Sequence, residues 1–243
     1  MRKLLTEFVG TMLFVFAIVL LATSGNPMAP LGIGGMLMVM VYMGGHISGG
    51  HYNPAVSLAI LLRGLMKVEE MVMYWVSQIV GAVAGAGLAY MVSGRSFEMM
   101  PEFKSIEMAA KEKGDVGAVA SMMQLRTDVI SPLGASIIVE ALFTFALCLV
   151  VLNVATAKKT SGNSFYGLAI GFTIIVAAFA GGPISGGAFN PAVATGPTII
   201  HMMFKGGGIS NLWIYFAGPL IGAIIAAALF KVQEKEDAAA EPA

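Results

Sequence analysis

The run ISGG-(two residues)-NPAV, from Ile47 to Val56, returns 137 positions later from Ile184 to Val193. Each copy lies between apolar runs in a chain that is 57% hydrophobic and 12% charged, with mean hydropathy +0.82. A soluble domain carries about a quarter charged residues, so most of this chain belongs in lipid. Glycine-rich, non-helical backbone is tolerated at membrane depth only where protein buries it or where it lines a water-filled cavity. A chain that makes this exception twice, in the same words, is built around such a cavity.

Six apolar segments, about 4–23, 31–46, 69–92, 133–156, 166–181 and 210–230, approach the length that crosses roughly 30 Å of hydrocarbon. The first follows Arg2 and Lys3 and resembles a signal peptide, but its length and the Glu7 within it fit a first membrane helix better. EFVGT at 7–11 echoes EALFT at 140–144, and VGA at 80–82 echoes IGA at 221–223. Each half therefore reads as three spans and one glycine-rich loop. Three is odd, so the second copy is inverted across the membrane. The expected fold is an all-α membrane protein, with six transmembrane helices plus two re-entrant half-helices in two inverted repeats. It forms one transmembrane channel unit over 1–243, with repeats at about 1–92 and 133–230, a polar loop at 93–132 and a frayed, then disordered, tail at 231–243.

Asn caps helix N-termini well, and Pro at the first helical position gives up an N–H that has no partner there. Asn53-Pro54-Ala55 and Asn190-Pro191-Ala192 therefore each start a helix too short to span, over 53–63 and 190–203. Inversion brings the two starts together near the midplane. Backbone carbonyls of 47–51 and 184–188, including Gly49, Gly50, His51, Gly186 and Ala188, then form a polar ladder between apolar walls. The Asn amides donate at its centre. Such a path suits a small neutral solute in single file.

The rest of the chain sets bounds. Net charge is zero, so nucleic acid is not an expected partner. Three histidines and one cysteine, Cys148, make no metal site or intrachain disulfide. With both termini on one face, that face carries eight basic residues against six, five of those six in the long loop. This favours cytoplasmic termini.

The paired boxes SGGHYNPAV and SGGAFNPAVATGP, with EFVGT in the first span, resemble the aquaporin (major intrinsic protein) family from about Leu4 to Phe230. The resemblance implies an aquaporin-like fold, passive flow of water and small neutral solutes, no cofactor, a homotetramer in the bilayer, and placement in the cell membrane. It puts the selectivity filter on Ile33, Ala178, Gly187 and Val193. Family members commonly have Arg at the last of these, and water-selective ones an aromatic and a His at the first two. This filter has no Arg and is wide and dry, which implies passage of ammonia, urea, glycerol, peroxide or metalloid hydroxides. Tyr215-Phe216 is a pair typical of water channels, and Ala194 replaces the Asp of dedicated glycerol channels.

Glu7 and Glu140 read as braces accepting amide N–H bonds from the glycine loops, or as a proton relay. His46 and His51 read as structural hydrogen-bonding groups, with a pH gate as the alternative. Eighteen methionines, MLMVMVYM at 36–43 among them, read as flexible packing. Gly81/Gly85, Gly167/Gly171 and Gly218/Gly222 allow close helix contact within or between subunits. The rival reading is a proton-coupled secondary transporter, whose fold class also uses inverted repeats and broken helices. An enzyme would need a nucleophile–base pair or metal cluster, and none is legible.

Overall fold

The structure is a computed structural model and describes residues 1–101, 104 and 130–240, with side chains described up to Glu234. Six long helices are α1 (Arg2–Ala22), α2 (Ala29–Ser48), α4 (Val68–Ser93), α5 (Pro132–Thr156), α6 (Tyr166–Ser185) and α8 (Ile214–Ala240). All six are long and apolar enough to cross a membrane, α8 over Ile214–Glu234. Two short helices, α3 (Pro54–Arg63) and α7 (Pro191–Lys205), follow the glycine-rich loops.

The boundaries differ from the sequence expectation in three places. First, α2 and α6 run on to Ser48 and Ser185, so the leading glycines of each repeat are helical and Pro183 sits in the last turns of α6. Each helix ends where a glycine can turn left-handed, Gly49 at φ 94° and Gly186 at φ 93°. Second, the sixth span starts at Ile214 instead of near 210, after a turn. Third, α8 continues to Ala240, so most of the expected tail is helical. Arg63, at the end of α3, lies over the Phe230 ring and pairs with Glu234 of α8. Most of the loop after Pro101, and residues 241–243, lie outside the described residues.

Packing repeats as the sequence does. α1 lies along α4 and α5 along α8. A Cβ on Gly81 would stand 2.5 Å from the Phe8 carbonyl oxygen, and one on Gly222 2.3 Å from that of Ala141. The same crowding joins α2 to α6, where Gly171 meets the Gly34 carbonyl oxygen. The three glycine pairs thus serve contacts inside the chain, where small residues let backbones approach.

The two half-helices run in opposite directions. Arg63 ends α3 beside the C-terminal part of α8, on the face where Lys3 of α1 pairs with Glu70 of α4. Lys205 ends α7 over Tyr90, near the other end of α4. We call these the terminal and distal faces.

Candidate functional site

The half-helix tips meet by exchanging hydrogen bonds. Asn53 Nδ2 donates to the Phe189 carbonyl at 2.9 Å, and Asn190 Nδ2 donates to the Tyr52 carbonyl at 2.9 Å. Each Asn Oδ1 accepts its own helix's amide, from Ala55 N and from Ala192 N, both at 2.9 Å. An amide NH₂ has two donors. One is spent on the opposite loop, which leaves one per Asn for the space between the tips. The N-termini of α3 and α7 bring about half a positive charge each to the same place.

Two buried carboxylates fix the loops. Glu7 accepts from Ser48 Oγ (2.6 Å), His51 N (3.0 Å), Tyr52 N (2.7 Å) and Gln78 Nε2 (2.8 Å). Glu140 accepts from Ser185 Oγ (2.7 Å), Ala188 N (3.0 Å) and Phe189 N (2.7 Å). These contacts spend loop N–H groups on the carboxylates and engage both oxygens of each. Tyr52 and Phe189, just before each Asn, take left-handed backbone at φ 48° and 49°. That conformation is costly for side chains of this size and persists only where the surroundings enforce it. Here the carboxylate holds the N–H, and the opposite Asn holds the carbonyl.

The carbonyl ladder is shorter than the sequence suggests. Ser48 and Ser185 give their carbonyls to the hydroxyls of Tyr74 (2.8 Å) and Tyr215 (2.5 Å). Gly49, Gly50, His51, Gly186, Gly187 and Ala188 remain, and all six line one cavity of about 1320 Å³. It reaches Asn26, Pro30 and Phe97–Met100 at the distal end, and His46, Lys158, Asn163 and Tyr166 at the terminal end. Asn53 and Asn190 line it too, as do Ile33, Ala178, Gly187 and Val193. Phe14, Ile18, Leu37, Val41, Leu147, Val151, Ile170 and Ile174 supply an apolar wall. Among the described residues no arginine lines it.

The halves differ at His51. Its Nδ1 is 3.0 Å from Ser57 Oγ, which also receives Gln78 Nε2 at 3.1 Å, so the first loop carries a side-chain network through Gln78 to Glu7. The second copy has Ala188 and Ala194 at the matching positions. His46 is exposed and lines the terminal mouth. Among the described residues no group of three or more His, Cys, Asp or Glu is placed to hold a metal ion.

Several lining or supporting residues escaped the sequence reading. Val56 lines the cavity one place after the first Asn-Pro-Ala, as Val193 does after the second, and the repeat itself signals it. Gln78, a fully buried amide in a span, was visible as a polar residue in an apolar run. The segment Phe97–Met100 carries no such sign. Cys148 is buried and does not line the cavity. Mercurials are therefore expected to leave flux unchanged, with Cys148→Ser indistinguishable from the native chain in a swelling assay. Block that vanishes in Cys148→Ser contradicts this placement.

A family model described as Major intrinsic protein matches residues 1–230. Glycerol uptake facilitator protein-like 6 of Lactiplantibacillus plantarum is 33% identical, over 98% of this chain and 100% of that protein. Aquaporin-8 of Mus musculus is 34% identical, over 94% of this chain and 80% of its own. Aquaporin NIP3-1 of Arabidopsis thaliana is 35% identical over 92% of this chain, which spans 64% of that relative's length. The X-ray structure of the aquaglyceroporin from Plasmodium falciparum superposes with a TM-score of 0.70 at 20% identity, covering 94% of each chain, and shows the shared fold.

Proposed function

The chain belongs to the major intrinsic protein family, and from that premise we propose that it is a passive channel for water and small neutral solutes with a wide, arginine-free filter. The family is one of membrane channels and not of enzymes, and the six spans make this an integral membrane protein. The observation that carries the reading is the single cavity that reaches both faces and passes Asn53 and Asn190. Exclusion of protons by half-helix dipoles is an established property of aquaporin-type pores. The facing tips of α3 and α7 have the arrangement that this barrier requires.

The filter is Ile33, Ala178, Gly187 and Val193. None of these side chains has a polar atom, and one is absent. A solute here meets apolar walls and backbone oxygens and keeps more room than an arginine would leave. This favours ammonia, urea, glycerol, peroxide and neutral metalloid hydroxides alongside water. The relatives named as a glycerol facilitator and as aquaporins support both kinds of cargo without choosing between them. Glu7 and Glu140 act as braces: both oxygens of each accept loop donors, and neither residue lines the cavity, which argues against a proton relay. The channel unit covers the whole chain, and the family resemblance supports a homotetramer in the cell membrane with cytoplasmic termini.

Stopped-flow light scattering on vesicles containing the purified protein tests this. Water, urea and glycerol flux above protein-free vesicles, indifferent to an imposed proton gradient, is expected. Vesicles that swell in water gradients but exclude both urea and glycerol overturn the wide-filter reading. Flux that follows the proton gradient overturns the passive channel.

A further inference from the structure

The distal end of the cavity has a wall that comes from neither the spans nor the glycine loops. Phe97, Glu98, Met99 and Met100 line the same cavity as the four filter residues. Their segment is pinned at four points. Arg95 Nη1 donates to the Thr23 carbonyl at 3.1 Å, and Ser96 Oγ lies 3.0 Å from His201 Nδ1. Glu98 Oε2 accepts from Gly208 N at 3.2 Å, and Met99 N donates to Thr198 Oγ1 at 3.0 Å. Thr198 and His201 belong to α7, so the half-helix that carries Val193 also holds this segment. Met99 is only 6% exposed. A Cβ on Gly186 would stand 2.8 Å from the Met100 carbonyl oxygen and 3.0 Å from Met99 Sδ. The segment therefore occupies the space that side chains at Gly186 would otherwise take.

Side-chain donors at this end of the cavity are few, the exposed Asn26 amide among them. Gly186 N donates to the Gly182 carbonyl, Gly187 N to Ser185 Oγ, and Ala188 N and Phe189 N to Glu140. The loop's donors are thus spent, and the filter side chains offer none. The Met100 carbonyl accepts no hydrogen bond from the described residues. Glu98 is the one carboxylate among the described residues lining the cavity, and among those residues only its Oε2 finds a donor.

Resting on the channel reading above, we propose that Phe97–Met100 forms a further wall of the distal constriction and, through Met100 and Glu98, selects solutes that donate hydrogen bonds. A solute with N–H or O–H groups replaces its lost water contacts on these acceptors. A solute with acceptors alone crosses the constriction with its oxygen unpaired. Thr198 is a positioning residue in this scheme, because it holds the segment without facing the solute.

The test uses two isomers of equal size, propanamide with an NH₂ and N,N-dimethylformamide with none, and a longer polyol, xylitol. Permeabilities are measured in vesicles, with protein-free vesicles subtracted. The native channel is expected to favour propanamide. Glu98→Gln keeps an oxygen for Gly208 N and turns a donor toward the cavity. It is expected to lower the propanamide-to-dimethylformamide ratio about three- to tenfold, the worth of one hydrogen bond. Thr198→Val keeps the side-chain shape and frees Met99 N. It is expected to raise xylitol flux relative to water by a similar factor. Unchanged ratios in both variants, or an equal fall for every solute, overturn the proposal and leave the segment as mere support. If Thr198→Val does not fold, the half-buried Glu98→Gln still decides. Failure of the channel reading looks different: the native protein then shows no solute flux above protein-free vesicles.

Discussion

Val193→Arg is expected to cut urea and glycerol permeability at least about tenfold, a barrier increase of roughly 1.4 kcal/mol, while water flux falls far less. Val193 is 3% exposed in the first turn of α7 and lines the cavity beside Gly187. A guanidinium there has five donors and finds acceptors in the distal loop carbonyls, the Met100 carbonyl and Glu98. It would fill the width left open by the small side chains proposed to form the filter. Water, which needs little room and both donates and accepts, passes such a site. Urea and glycerol compete with it for both space and oxygens. The variant and the native chain are compared in vesicles at equal protein content, and the urea-to-water ratio is the readout. A ratio that does not move removes Val193 from the filter.

Glu140→Ala should be the most destabilising single change in the second repeat, by about 2–6 kcal/mol, roughly 1–3 for each of the two amide N–H groups it strands. Glu140 is fully buried, and three donors depend on it: Ser185 Oγ, Ala188 N and Phe189 N. Without it two amide N–H groups are stranded at membrane depth, and the left-handed backbone of Phe189 loses what holds it. Glu140→Gln keeps one oxygen and turns an NH₂ toward a donor. The expected cost is smaller, about 1–3 kcal/mol. Thermal unfolding in detergent reads the order native, Gln, Ala, and solute flux should fall in the same order. An Ala variant as stable as the native protein means that the loop does not need its brace.

The parts of this design that depend on local chemistry were legible in the sequence. Asn53 and Asn190 announce helix starts because a cap followed by proline has few other uses. The echo of Glu7 in Glu140 shows that each loop has a carboxylate beside it. Six apolar runs give six helices because lipid leaves the backbone no other hydrogen-bond partner. What escaped depends on residues far apart in sequence. Met99 meets Thr198, and nothing about the run FEMM marks it as a lining segment. Tyr74 looks like an ordinary span aromatic, and Tyr215 was singled out only as half of a family pair, until their hydroxyls reach the Ser48 and Ser185 carbonyls. The left-handed turn at Tyr52 and Phe189 runs against local preference: the glycine pairs two residues earlier are left-handed as a sequence would suggest, but a bulky aromatic gives no such sign. The helical course of α8 beyond Phe230 was hidden by its polar composition. The pairing of Arg63 with Glu234 shows that this polarity serves a contact with α3.

The exchange of amide bonds between Asn53 and Asn190 makes each repeat unfinished by itself. A lone repeat would strand one Asn NH₂ and one loop carbonyl inside the bilayer, where no water can serve them. The molecule is in this sense a dimer of unlike partners that share one peptide chain. Fusion supplies a high local concentration of the second partner, whereas the fit between the two is written entirely in the crossed amides.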